Sequence, residues 1–158
     1  MTRLWLLVHL AGVSGFLIVH GVQIWMLFAV KPTFPDRPRM LDRAETSRRA
    51  TTPMYASIGV MLVGGIGGGL AGDWFSRGWW IWAAIGTLLV VMGLMASMAS
   101  PYMRAIREAT TTWADGTYPL SDDDLKKLLG RPTPVLVTVI GTVGLAVILV
   151  LMVYKPGA

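Results

Sequence analysis

Cysteine is absent from the 158-residue chain, which excludes disulfides, thiolate metal centres and iron–sulfur clusters supplied by this protein. Histidine is nearly absent, at two residues, so His9 and His20 are the only imidazoles. Charge is scarce as well: 15% of residues are Asp, Glu, Lys or Arg, against roughly 25% in an ordinary soluble domain. All nine acidic residues fall outside four long uncharged runs, Leu4 to Val30, Ala50 to Gly72, Gly78 to Met103 and Pro132 to Tyr154. With no carboxylate inside those runs, neither a nucleophile–base–acid set nor an intramembrane carboxylate proton relay can be assembled there.

What remains is apolar. Hydrophobic residues make up 54% of the chain and the mean hydropathy is +0.58. Each uncharged run exceeds the ~20 residues that cross a hydrocarbon core. The sequence therefore predicts an all-α integral membrane four-helix bundle, a single domain over 1–158, with helices about 4–30, 51–72, 79–103 and 133–154. The first run is too long for a signal-peptide h-region and no Ala-x-Ala site follows it, so it reads as a retained helix.

Eleven of the fourteen Lys and Arg residues lie in the first and third loops, and Arg3, Arg77 and Lys155 lie on the other side. The bias predicts cytoplasmic loops one and three, both termini outside, and a multi-pass protein of the bacterial inner membrane. The same distribution reads as topology and not as a folded basic face for nucleic acid. Trp5, Trp74, Phe75, Trp79, Trp80, Trp82 and Tyr154 collect at the outer helix ends as an interfacial belt.

The loops carry local signals. Pro32, Pro35 and Pro38 predict an extended path after the first helix, followed by a short basic helix over Arg39 to Arg49. Ser121 before Asp122, Asp123 and Asp124, with Gly130 behind, predicts a capped amphipathic cytoplasmic helix over about 121–129. Three successive aspartates on a helix point ~100° apart, so capping explains them better than a cation site. The second helix is crowded with Gly64, Gly65, Gly67, Gly68, Gly69 and Gly72, the pattern of close helix packing. The fourth helix reads as packing only.

The chemistry available at membrane depth is therefore His9, His20, Gln23, hydroxyls and methionines. Eleven residues on a helix return to within about 20° of the starting direction, so the imidazoles share a face with Gly12, Phe16 and Gln23, about 16 Å apart along the axis. Imidazole is a standard axial ligand of haem iron. At that separation the two cannot hold one iron, and each needs its opposite ligand elsewhere. Counting depth from the outer surface places Met95 level with His20. The expected cofactor is b-type haem, held by His9 or His20 beside Gly12, Phe16 and Gln23, with Met95 as a second metal donor. Electron transfer, or an accessory role in a membrane redox complex, is the function that follows. The alternative is a non-catalytic structural subunit with hydrogen-bonded interior histidines. Membrane lipid and either a second copy or a larger membrane complex are the expected partners.

His9 two turns into the first helix, Arg48-Arg49 leading into Thr-Pro53-Met and a glycine-rich second helix, and the ending Val-Tyr-Lys155-Pro156 together resemble a known group. They resemble the four-helix bacterial membrane proteins related to copper-resistance protein D, which include the haem-dependent protoporphyrinogen oxidase. The resemblance implies that His9 matches a haem histidine of the first helix. The oxidases carry a lysine shortly before that histidine and another in the third helix, where this chain has Leu6-Leu-Val and an uncharged span. The resemblance thus points to a relative without the oxidase activity.

Overall fold

The computed structural model describes residues 2–156. Helix α1 runs Thr2–Ala29, α2 Arg37–Arg49, α3 Thr51–Ala71, α4 Trp74–Arg77, α5 Trp80–Thr110, α6 Asp122–Leu129 and α7 Thr133–Tyr154; a 3-10 turn at Lys31–Thr33 follows α1. There is no strand among the described residues. The fold is all-α, and α1, α3, α5 and α7 are long and apolar enough to cross a membrane.

Two departures from expectation have local causes. The prolines do not produce an extended first loop: Pro32 sits inside the 3-10 turn and Pro38 in the first turn of α2, where its missing N–H costs nothing. Asp36 begins α2 by accepting a bond from the Arg39 N–H. The third long helix does not end at Met103 but continues to Thr110. Tyr102, Met103, Ile106, Ala109 and Thr110 are buried there, a helical stripe that packs against α2 and α6. The short helix after Ser121 forms as expected, with Ser121 Oγ accepting from the Asp124 N–H.

The long helices are arranged as two antiparallel pairs. In the first, Trp5 of α1 lies on Gly67 and Gly68 of α3, His9 on Gly64 and Gly65, Gly12 on Met61 and Gly15 on Ser57. A Cβ at Gly12 or Gly64 would overlap the backbone of the opposite helix, so these glycines let two backbones touch where side chains would hold them apart. In the second pair, Val91 of α5 fills the space over Gly144 of α7 and Met95 that over Gly141. The pairs meet where α1 touches α7, over a short stretch, and α3 does not run packed against α5 or α7.

The ends are closed differently. At one end, α2 and α6 pack on α5 and the end of α1, burying Leu27, Val30, Met40, Ile106, Leu125 and Leu129. Arg37, 7% exposed, joins the two loops: it donates to the carbonyls of Ala109 (3.0 Å) and Leu120 (2.8 Å) and to Asp122 Oδ1 (2.5 Å), with the Tyr118 ring 4.4 Å away. At the other end aromatics dominate. Trp74 meets Trp80 edge-on, Phe75 tilts against Trp82, and Lys155 Nζ lies 4.2 Å from the Trp74 ring centre.

Candidate functional site

The common face of α1 is real along the helix, but its residues face different partners. His9 Nδ1 lies 2.8 Å from the Met61 carbonyl oxygen of α3. A carbonyl only accepts, so Nδ1 carries the proton and Nε2 is left with the free lone pair. Gly65 leaves room for that ring, since a Cβ there would come within 3.0 Å of Nδ1. Gly12 is buried against Met61 one turn further on. His9 and Gly12 therefore belong to the α1–α3 contact.

His20 faces α7. Its ring stacks on Phe16, with centroids 5.1 Å apart and planes 8° from parallel. Residues four apart on a helix stand one above the other, so this pair is local and holds the imidazole plane. Nε2 of His20 and Sδ of Met95 lie 3.8 Å and 3.1 Å from one point, the position that a Cβ on Gly141 would occupy. The other ring nitrogen, Nδ1, is buried without a hydrogen-bond partner. An imidazole with an unsatisfied nitrogen is costly in an apolar interior; among the described residues Trp80 Nε1 is the other buried side-chain nitrogen without a partner.

Gln23 stands apart from both. Its Nε2 donates to the Ser47 carbonyl and to Thr51 Oγ1, each at 3.4 Å, tying α1 to the junction of α2 and α3. The sequence-predicted set thus divides into three: His9 with Gly12 at α3, His20 with Phe16 and Met95 at α7, and Gln23 at the α2–α3 junction. Among the described residues no three His, Cys, Asp or Glu side chains gather as a metal site.

Two contributors escaped the sequence reading. Gly141 lies in the helix read as packing only, yet it is the gap onto which His20 and Met95 converge; its only signal in the sequence is that it is one of two glycines in a Val- and Ile-rich helix, at Met95's depth. Arg37 was indistinguishable from its basic neighbours, because its acceptors come from two backbone carbonyls and an aspartate already explained as a helix cap.

An imidazole and a thioether converging on one glycine match the axial donors of a haem iron by their chemistry. The pair lies beside the short α1–α7 contact, where α3 and α5 are not packed on each other. Compared with known protein families, curated protein sequences and solved structures, the chain matches none.

Proposed function

We propose that the chain is a multi-pass protein of the bacterial inner membrane, with both termini outside, that holds b-type haem through His20 and Met95 and serves electron transfer within a membrane redox assembly. The observation that carries this reading is the convergence of His20 Nε2 and Met95 Sδ at Gly141. The membrane part is supported by the apolar coat of the long helices: Leu4, Leu7, Ile18, Trp25, Leu70, Leu89 and Val153 are 64% to 74% exposed. In water so large an apolar surface would associate, whereas lipid tails cover it.

Haem iron held there would supply a one-electron couple. The chain's own residues do the positioning. Phe16 fixes the plane of the His20 ring, Gly141 keeps the space before Nε2 free of a side chain, and Met95 brings a soft donor from α5. His9, bonded to Met61, fastens α1 to α3 so that the face bearing His20 stays turned to α7.

The second reading is a structural subunit. It is favoured by the glycines of α3, whose space is taken up by α1, Phe75 and Trp74, and by an open groove of about 350 Å³ on α5 and α7 lined by Thr87, Val91, Val139, Ile140, Val143, Gly144 and Val147, which contains no polar donor other than a threonine. The absorption spectrum of the protein, purified after expression with adequate haem, separates the two. A Soret band abolished by His20→Ala and shifted by Met95→Leu supports haem at this pair. A band lost only with His9→Ala moves the site to α3, and absence of any band leaves the structural reading.

A further inference from the structure

The ion pairs at the α2/α6 end divide the basic residues into two groups. Arg37, Arg39, Arg48, Arg104, Arg107 and Lys127 each have a carboxylate within 4.0 Å. Lys31, Arg43, Arg49, Lys126 and Arg131 have none among the described residues; Arg43 is half-buried on α2, Lys126 is exposed on α6, and Lys31, Arg49 and Arg131 are exposed. The last three share a placement. Lys31 stands two residues after the end of α1, Arg49 two before the start of α3, and Arg131 two before the start of α7. Three of the five unpaired cations therefore mark the ends of three of the four long apolar helices, at the level where an apolar coat gives way to polar surface, and Arg43 and Lys126 lie on the short helices beside them.

A paired cation and its carboxylate a few ångströms away nearly cancel beyond a Debye length of ~8 Å, so only the unpaired cations project a net field at that level. Tyr55, 53% exposed one turn into α3, adds the amphipathic ring expected at such a boundary. We infer that Lys31, Arg49 and Arg131 bind the phosphate groups of anionic lipids around the α2/α6 end, selecting an anionic leaflet for this end of the molecule. The partner is a lipid surface and not a soluble phosphate, because the three cations are set at the ends of three different helices.

This inference rests on the membrane reading, and its test separates the two. The full chain is placed in nanodiscs of phosphatidylcholine containing a minor share of phosphatidylglycerol, and the lipid retained by the protein is read by native mass spectrometry. Enrichment of phosphatidylglycerol over its share in the disc is expected, at roughly five-fold for each cation in headgroup contact. The K31Q/R49Q/R131Q variant should lose at least five-fold of that enrichment, whereas R39Q/R48Q/R104Q, with the same loss of formal charge from paired residues, should lose less than two-fold. Should the first variant not fold, the three single substitutions replace it, each lowering the enrichment by two-fold or more. Equal losses in both triple variants, no enrichment in the unaltered protein, or equal displacement of the retained lipid by millimolar glycerol phosphate would overturn the inference. A chain that cannot be inserted into discs overturns the membrane reading instead.

Discussion

Removing the Arg37 guanidinium should unlock the end of the molecule that α2 and α6 close. Ala109 is among the last residues of α5, whose carbonyls have no intrahelical partner; Arg37 Nη1 supplies one, and its charge faces the negative end of the helix dipole. Nη2 holds the Leu120 carbonyl and Asp122 at the start of α6. Asp122 is 66% exposed, so water can replace the guanidinium there, and the ion pair itself is worth no more than about 1 kcal/mol. The buried Ala109 carbonyl and the half-buried Leu120 carbonyl cannot be rescued so easily, and each costs about 1 kcal/mol or more when left unmet. With the dipole contribution, Arg37→Ala should destabilise by about 3 kcal/mol, equivalent to a fall of roughly 6 to 12 °C in melting temperature for a chain of this size. Asp122→Asn should cost under about 1 kcal/mol. Arg37→Lys should fall between, because an ammonium lacks the planar fork that reaches three acceptors. Thermal unfolding in detergent, followed by tryptophan fluorescence, gives the order, and limited proteolysis across 111–121 locates the loosening. If Arg37→Ala melts with the unaltered protein, or Asp122→Asn is as severe, the clasp is not what holds this end.

Other substitutions separate packing from chemistry. Gly64→Ala should lower thermal stability by about 1 to 3 kcal/mol, because its Cβ meets the His9 backbone, while Gly86→Ala, whose Cβ meets nothing within 4 Å, should be neutral or stabilising by up to about 1 kcal/mol; melting curves compare them directly. His20→Leu should stabilise the cofactor-free protein, since it removes a buried nitrogen without a partner, and His9→Leu should destabilise it by about 1 kcal/mol through the lost bond to Met61; the opposite order in the same assay would contradict the site as described. The Thr117 hydroxyl and then its N–H hold the exposed Asp115 carboxyl below its ordinary value. A depressed folded-state value means this local stability is present at neutral pH and is lost as the pH falls through the carboxylate range, so the 113–117 turn should become protease-sensitive in acid and Thr117→Val, which keeps the N–H bond, should weaken that dependence. Because the chain has no cysteine, the Ser76→Cys and Asp123→Cys variants report topology cleanly: an impermeant maleimide applied to intact cells should label the first and not the second, and the reverse pattern would invert the proposed orientation.

What could be read from the sequence depended on whether the cause was local. Ser121 with Gly130 bounded α6, and Pro132 with Pro134 started α7, because each boundary is made by the residues at it. At α5 the uncharged run stops at Met103 while the helix continues to Thr110. Tyr102, Met103, Ile106, Ala109 and Thr110 keep the helical stripe through Arg104, Arg107 and Glu108, and burial follows the stripe, not the charge count. Asp122 was correctly placed in a capped first turn, but its second role needed Arg37, 85 residues away in sequence, and no periodicity spans that distance.

The histidines show the same limit more sharply. Their shared direction on α1 follows from an eleven-residue spacing on one unbroken helix. Which helix each would meet does not, because that is decided by glycines elsewhere. Gly64 and Gly65 bring α3 against His9, so close that Nδ1 reaches a backbone carbonyl. Gly141 lets α7 come to His20, where Met95 is the neighbouring side chain and no carbonyl is in reach of Nδ1. One face of one helix thus presents a satisfied imidazole and an unsatisfied one. The difference lies in the backbone of the opposing helix: a glycine pair exposes the α3 carbonyl ladder to His9, while a single glycine on α7 opens only a side-chain-sized gap before His20. A histidine that gains a backbone acceptor holds helices together by itself; a histidine that gains only a gap keeps Nε2 facing Met95 across Gly141, and for that reason the search for a bound group belongs at His20 and Met95 first.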